Sequence, residues 1–238
     1  METIVYLVRH GETNANAGIK FAGSSDIELS DNGRAQVSTL TDFFRNVRVD
    51  KVFSSPLKRA LATARAVVGD KGIDINVDHE LREINCGKWE LLSFDEVDRR
   101  YPGQLIMWLK YTHMLRMPEG DTVEEVRVRA MRALLRILRE NEGKSVVITS
   151  HMMTLHTIVI SLLGIPNYKM HSIPDALNAS ITELHFYTEG DRIEVQLVRY
   201  SDTSHMSDEL RSQLVGGGSV SPLPEELCRR HEINVKDL

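Results

Sequence analysis

Short apolar runs alternate with segments of helical periodicity along most of the chain. The runs are rich in β-branched residues and predict strands at 3–8, 49–54, 73–77 and 145–150. Apolar residues at helical spacing predict helices at 30–44, 57–68, 93–101, 122–143 and 153–163. The repeated passage from strand to helix predicts an α/β fold, a three-layer α/β/α sandwich with a mostly parallel sheet.

Residues 179–187 and 192–200 alternate between apolar and polar around Glu189-Gly190-Asp191, and they predict a hairpin that adds an antiparallel edge strand to the sheet. Ser30 is a good N-cap, and Ser93 with Glu96 and Thr122 with Glu125 form capping boxes. The helix that Thr122 opens has an apolar face, and the pattern places its arginines on the other face. Residues 14–29 and 80–92 lack clear periodicity and predict loops with short irregular elements.

The domain organisation follows from a change of composition at two places. We expect one catalytic domain over 1–203, carrying an insertion at about 94–118, and a polar tail over 204–238. The second half of the insertion, from Gln104 to Pro118, interleaves methionines and aromatic residues with basic ones. This composition predicts either a lid over a site or an amphipathic helix that packs on the core.

Charge and cysteine content exclude several classes of protein. The net charge of −5 and the isoelectric point near 6.0 do not predict a basic face for nucleic acid. Cys86 and Cys228 lie far apart and predict two reduced thiols. The sequence shows neither a secretory signal nor a membrane span, so we expect a cytoplasmic protein without a membrane partner. A homodimer is compatible with the sequence.

Cationic and titratable residues follow three of the predicted strands. The first strand runs into Arg9 and His10, the second into a helix whose first turn holds Arg59, and the fourth into His151. In a parallel sheet these strand ends meet at one edge, where ligands bind. Two guanidiniums and two imidazoles beside helix N-termini suit a tetrahedral dianion, so we expect a phosphate monoester site with His10 as the reactive group.

The same residues belong to a longer pattern that resembles the histidine phosphatase superfamily, in its phosphoglycerate-mutase-like branch. The resemblance covers roughly residues 1–200 and keeps the order of the family. Its blocks are Arg9-His10-Gly11-Glu12-Thr13, 23–36, Ser54-Ser55-Pro56-Leu57-x-Arg59-Ala60, Leu81-x-Glu83-x-x-x-Gly87-x-Trp89-Glu90, Pro118-x-Gly120-Asp121-Thr122 and Ser150-His151.

The resemblance implies a role for each matching residue. His10 would be the nucleophile that forms a phosphohistidine, and Glu83 would protonate the leaving oxygen. The phosphoryl oxygens would be held by Arg9, Arg59, His151, Asn16 and the backbone N–H of Met152, with Gly23 also in the substrate site. The family needs no metal and no cofactor for this step. A metal held by His10, His151 and Glu83 is disfavoured because the two arginines would repel a cation.

Two departures from the mutases of the family bear on the reaction. Ala15 stands where the mutases usually have tryptophan, and the segment between Glu83 and His151 is shorter than theirs. Both departures favour the small broad-specificity phosphatases, with a small phosphorylated metabolite as substrate. A cofactor-dependent phosphoglycerate mutase is the alternative, and a phosphate-recognition module without catalysis is the third candidate.

The leaving-group pocket is the least defined part of the prediction. Met152-Met153 and Leu91 replace glycines that are common in the family, which should narrow the mouth of the site. We predict that the insertion supplies the pocket, through the residues Trp108, Lys110, Tyr111 and Arg116.

Overall fold

The computed structural model describes residues 1–190 and 192–214. The strands are β1 (Glu2–Arg9), β2 (Lys51–Ser54), β3 (Ile75–Val77), β4 (Ser145–Ser150), β5 (Ile181–Glu189) and β6 (Arg192–Asp202). The helices are α1 (Asn14–Ala17), α2 (Asp31–Arg45), α3 (Lys58–Val68), α4 (Phe94–Arg100), α5 (Gln104–Tyr111), α6 (Val123–Glu140), α7 (Met152–Leu162) and α8 (Asp208–Ser212).

The strands form one sheet in the order β3-β2-β4-β1-β5-β6. The first four are mutually parallel, and β5 pairs antiparallel with β1 and with β6. The predicted fold class is therefore confirmed, including the antiparallel hairpin at one edge. The third strand is shorter than predicted and starts at Ile75, at the opposite, half-exposed edge.

Alternation along the central strands divides the core between the two faces of the sheet. Val5 and Leu7 of β1 pack in the cluster that contains α6 and α7, whereas Tyr6 and Val8 pack in the cluster that contains α2 and α3. Successive side chains of a strand point to opposite faces, so each central strand is covered by helices on both sides. Because apolar core covers both faces of the sheet, the polar and titratable side chains of a site lie at the ends of the strands.

The insertion builds a third apolar cluster beside the carboxyl end of the sheet. It consists of α4, α5 and a 3₁₀ turn at Thr112–Met114. Its buried side chains include Leu105, Trp108 and Leu109, which pack with Phe21 from the loop after α1. The insertion is therefore part of the packed core, and at the same time it forms one wall beside the strand ends.

The predicted sequence signals for helix starts are present in the structure. Ser93 and Thr122 each make a complete capping box, and the Ser30 hydroxyl accepts the N–H of Gly33. The loop predicted at 80–92 contains two 3₁₀ turns, His79–Leu81 and Gly87–Trp89.

The first residues of the predicted tail are ordered by contact with the main body. Met206 is buried, and Leu210 and Leu214 pack against the cluster on the α2 side of the sheet. The rest of the predicted tail and Cys228 lie outside the described residues. Cys86 is buried and carries a free thiol. Within the described ranges, no helix combines the length and apolar character needed to cross a membrane.

Candidate active site

The carboxyl ends of β1 and β4 carry the two predicted histidines. Arg9 lies opposite Ser150 in the parallel register, and the His10 N–H donates to the Ser150 carbonyl at 3.0 Å. His10 and His151 therefore lie side by side, with their ring centroids 5.1 Å apart. Arg59 reaches the same place from the first turn of α3, which follows β2 on the other side of β4. The sheet thus brings four of the predicted residues together.

The hydrogen bonds of His10 select one tautomer of its ring. Nδ1 lies 2.7 Å from the carbonyl oxygen of Gly11, which can only accept, so Nδ1 carries a proton and donates it. Arg59 Nε donates to His10 Nε2 at 3.2 Å, which requires a lone pair on Nε2. Both contacts hold the neutral imidazole in the tautomer whose Nε2 carries no proton.

The electrostatic environment keeps both imidazoles neutral. Burial lowers the pKa of His10 well below its ordinary 6.5, and the charges of Arg59 and Arg9 lower it further. The pKa of His151 is also well below 6.5, mainly through burial and then through Arg59 and His10. His151 Nε2 lies 2.7 Å from the Ser55 hydroxyl, which fixes the orientation of the ring.

Main-chain carbonyls fix the buried guanidinium of Arg59. Nη1 donates to the Ser25 carbonyl and Nη2 to the Gly23 carbonyl, both at 2.7 Å. These bonds and the bond to His10 leave further N–H groups of the guanidinium for an anion. Burial lowers the pKa of Arg59 to about 10, so the side chain is charged at neutral pH.

Arg9 is the second guanidinium of the site. Its side chain is buried, and Nη1 donates to the Ala176 carbonyl at 2.6 Å. Burial is the main cause that lowers its pKa. Arg9 and Arg59 line the same pocket as His10, so an anion bound there meets two guanidiniums beside the His10 imidazole.

Glu83 belongs to the loop after β3, and its almost fully buried side chain packs against the N-terminus of α7. Its carboxylate accepts the N–H groups of Met153 at 3.2 Å and Thr154 at 3.3 Å, and that of Ile84 at 2.9 Å. These donors hold the carboxylate in one place, where it lines the pocket that His10 also lines. Glu83 and His10 therefore face the same cavity.

A third buried arginine holds the segment that carries Glu83. Arg129 donates to the carbonyls of Glu80 at 2.7 Å and Glu83 at 3.0 Å, and also to the carbonyl of Arg82. The prediction that the arginines of α6 face outward is wrong for Arg129, because its spacing from Val126 puts it on the buried face. The apolar periodicity of α6 did place Arg129 on the buried face, but a charged residue at such a position is normally interpreted as exposed.

The pocket encloses about 70 Å³, which is small beside the roughly 300–1,000 Å³ of drug-sized ligand sites. Four predicted substrate residues line it: Asn16, Gly23, Trp108 and Met152. Asn16 Oδ1 accepts the N–H of Thr13 at 3.0 Å in the cap of α1, so its amide N–H groups are the part left to contact a phosphate. Met152 is the first residue of α7, where backbone N–H groups lack helical acceptors.

The other predicted pocket residues lie away from this cavity. In α5, Trp108 lines the pocket, whereas Lys110 and Tyr111 at the end of the helix are exposed to solvent, Tyr111 to 49%. Arg116 pairs with Glu125 at 2.7 Å on the surface. The structure gives these three residues no place in the pocket lining. His151 is fully buried and does not line the cavity either.

Six residues of the pocket lining were not predicted from the sequence: Lys20, Phe21, Ala22, Ile84, Cys86 and Phe94. Phe21 stacks on Phe94 with ring centroids 4.6 Å apart and meets Trp108 edge-on at 5.5 Å. These rings form the apolar wall of the pocket, and Lys20 adds a cation at its rim. Phe21 lies in a segment without periodicity, so its only signal was a large aromatic residue two positions before Gly23.

The described residues contain no group of three or more His, Cys, Asp or Glu side chains arranged to hold a metal ion. The positive charges beside His10 are the guanidiniums of Arg59 and Arg9, which bind anions.

Comparison with known proteins agrees with this geometry. The chain is 34% identical over 164 residues to "Probable phosphoglycerate mutase GpmB" of an Enterobacter species, covering 69% of this chain and 76% of the relative. It is 28% identical over 179 residues to "Phosphoserine phosphatase 1" of Hydrogenobacter thermophilus, covering 75% and 84%. Among solved structures, YhfR of Bacillus stearothermophilus superposes with a TM-score of 0.80 at 30% identity, covering 85% of this chain and 98% of that one.

The sequence pattern of a known family matches residues 5–199, which include most of β1, all of β2 to β5 and most of β6. The matched range also contains Arg9, His10, Arg59, Glu83 and His151. The chain belongs to the histidine phosphatase superfamily, branch 1.

Proposed function

We propose that the protein hydrolyses a small phosphorylated metabolite through a phosphohistidine on His10, with Glu83 as the proton donor. The observation that carries the proposal is the state of His10. Its Nδ1 proton is bound to the Gly11 carbonyl, and its Nε2 lone pair faces Arg59 Nε at 3.2 Å. A neutral imidazole with a fixed lone pair, beside two guanidiniums in a small pocket, suits in-line attack on phosphorus.

In the first step, Nε2 of His10 forms a bond to phosphorus as the bond from phosphorus to the ester oxygen breaks. Arg59 Nε must give up its hydrogen bond to Nε2, and a phosphoryl oxygen is the acceptor that replaces it. Arg9 and Arg59 stabilise the charge on the phosphoryl oxygens. Protonated Glu83 gives its proton to the leaving oxygen, and the alcohol departs.

In the second step, Glu83 is a carboxylate and takes a proton from water while the water oxygen attacks phosphorus. The bond between phosphorus and Nε2 breaks, inorganic phosphate leaves, and His10 returns to its neutral form. Glu83 is then protonated again for the next cycle. In this scheme the arginines supply the positive charge, and we propose that no metal ion takes part.

The choice between phosphatase and mutase rests on the acceptor of the phosphoryl group. Ala15 in place of tryptophan, the short segment after Glu83 and the similarity to a phosphoserine phosphatase support water as acceptor. The similarity to a protein named probable phosphoglycerate mutase supports the runner-up, transfer to a second hydroxyl. The pocket of about 70 Å³ favours a small leaving group such as that of phosphoserine. We further propose that the protein is cytoplasmic and that it forms a homodimer.

A substrate panel tests the proposed reaction. We expect phosphate release from phosphoserine, phosphoglycerates or small sugar phosphates, unchanged by EDTA, and faster than any interconversion of 2- and 3-phosphoglycerate. The panel is measured by phosphate release and by NMR of the products, with and without 2,3-bisphosphoglycerate. Isomerisation that outpaces phosphate release would establish the mutase instead, and inhibition by EDTA would refute the metal-free scheme.

Replacing the nucleophile tests the covalent intermediate. His10→Ala should lower turnover by about 10³-fold or more, because no other group can take its place. Wild-type protein quenched after brief incubation with ³²P-labelled substrate should carry an acid-labile, base-stable label that His10→Ala lacks. His79→Ala, at an exposed position, is the control. Full turnover by His10→Ala would rule out the mechanism, and phosphate binding without any wild-type turnover would favour the recognition module.

The pKa values of His10 and His151 predict a pH dependence that NMR can follow. Both pKa values lie well below 6.5, so both rings of the folded protein stay neutral as the pH falls from 7.5 to 6.5. In the urea-unfolded protein the same histidines take up protons at about pH 6.5. The unfolded state then binds more protons, so the free energy of unfolding should fall as the pH drops below about 6.5. Half-protonation of His10 at pH 6.5 in the folded protein would contradict this.

Trp108 should act on the leaving group more than on phosphoryl transfer. Trp108→Ala removes part of the aromatic wall and should raise KM about three- to tenfold for substrates with bulky leaving groups. The rate of label formation on His10 should change less. Met114→Ala, an exposed change at the end of the insertion, is the matched control. An equal effect of Trp108→Ala on every substrate would show that the residue serves stability alone.

A further inference from the structure

Glu90 has an unusual number of hydrogen bonds for a carboxylate that does not line the pocket. Its Oε1 accepts the Ser24 N–H at 2.7 Å, the Ser24 hydroxyl at 3.0 Å and the Cys86 N–H at 3.1 Å. Its Oε2 accepts the Ser25 N–H at 2.7 Å and the Ser25 hydroxyl. Four of the five donors belong to residues 24 and 25, so Glu90 fixes this loop from one side.

The other side of the same loop holds Arg59. The carbonyls of Gly23 and Ser25 accept Nη2 and Nη1 of Arg59, and the third bond of the guanidinium goes to His10. The N–H of Ser25 thus binds Glu90 while the carbonyl of the same residue binds Arg59. The direction of the guanidinium depends on the position of two carbonyls, and that position depends on Glu90.

Gly23 shows how closely the loop and Glu90 fit. Its φ of +47° is in the left-handed region, and a Cβ at this residue would overlap the Glu90 carboxylate. The backbone at residue 23 therefore approaches Glu90 as closely as the absence of a side chain permits. A close approach of this kind leaves the loop little freedom to shift.

We propose that Glu90 is a positioning residue, which holds Arg59 in register with the phosphoryl group through the loop of residues 23–25. This inference rests on the proposed phosphoryl transfer at His10. Both oxygens of Glu90 are needed, because each accepts from a different residue of the loop. The negative charge of Glu90 also opposes the effect of burial on the pKa of Arg59. An amide at this position would turn an N–H₂ group toward N–H donors, and the loop would lose one of its two anchors.

Orthovanadate binding measures the proposed coupling without requiring turnover. Calorimetry is applied to the wild type, Glu90→Gln, Arg59→Met and the double variant, with melting temperatures taken in parallel. We expect Glu90→Gln to weaken vanadate binding about tenfold when Arg59 is present and less than about twofold in the Arg59→Met background. The reason is that the effects of substituting two residues that act through one another are not additive. kcat/KM of Glu90→Gln should fall about 10- to 10²-fold, as expected for a displaced catalytic group.

Two further variants keep the test decisive. Glu125→Gln is the matched control, since Glu125 also accepts a backbone N–H and a hydroxyl, both from Thr122, but lies on the surface. Ser25→Ala removes only one hydroxyl donor to Glu90, so it should weaken vanadate binding less than Glu90→Gln does, and this loss should also vanish in the Arg59→Met background. Ser25→Ala takes the place of Glu90→Gln in the test if Glu90→Gln does not fold. Equal losses in both backgrounds, or no loss in a folded Glu90→Gln, would overturn the proposal. Absence of phosphate release by the wild type would instead refute the proposed function itself.

Discussion

The site depends on burying positive charge without cancelling it. Arg59 is removed from water, yet its guanidinium donates to the carbonyls of Gly23 and Ser25. Carbonyl dipoles satisfy the N–H groups of a cation and fix its direction, but unlike a carboxylate they carry no net charge. Arg129 uses the same solution where it holds the segment before Glu83. The positive charge of Arg59 therefore remains available to a dianion, and it also keeps the neighbouring imidazoles neutral.

The sheet and the loops make separate contributions to this arrangement. The parallel register of β1 and β4 sets the two histidines side by side, and that relation is as rigid as the core. Arg9 ends β1 and Arg59 lies in the first turn of α3, whereas Glu83 and the carbonyls that bind Arg59 lie in loops held by hydrogen bonds between distant segments. The two histidines thus sit at the ends of sheet strands, while the apolar wall of the pocket is built from Phe94 and Trp108 of the insertion together with Phe21.

Much of the fold and the reactive centre could be predicted because the signals are local. Strand ends, N-caps and the motif around His10 each occupy a few consecutive residues, and right-handed parallel connections leave few ways to arrange them. The partners of Arg59 and Glu90 could not be predicted, because they join segments far apart in the chain through backbone atoms that have no sequence signature. Lys110 and Tyr111 show a different limit. The composition of the insertion indicated a lid, but the rotation of a short helix decides which side chains face the cavity, and here Trp108 does.

The pairing of β1 with β4 also has a consequence for how the protein is made. The strand that precedes His10 is synthesised before its parallel partner, Ser145–Ser150, which follows more than a hundred residues later in the chain. The other neighbour of β1 is β5, which is later still. Contacts between such distant segments make folding slow, and they leave the apolar edges of β1 unpaired in the nascent chain. His10 therefore leaves the ribosome long before the segments that form its environment.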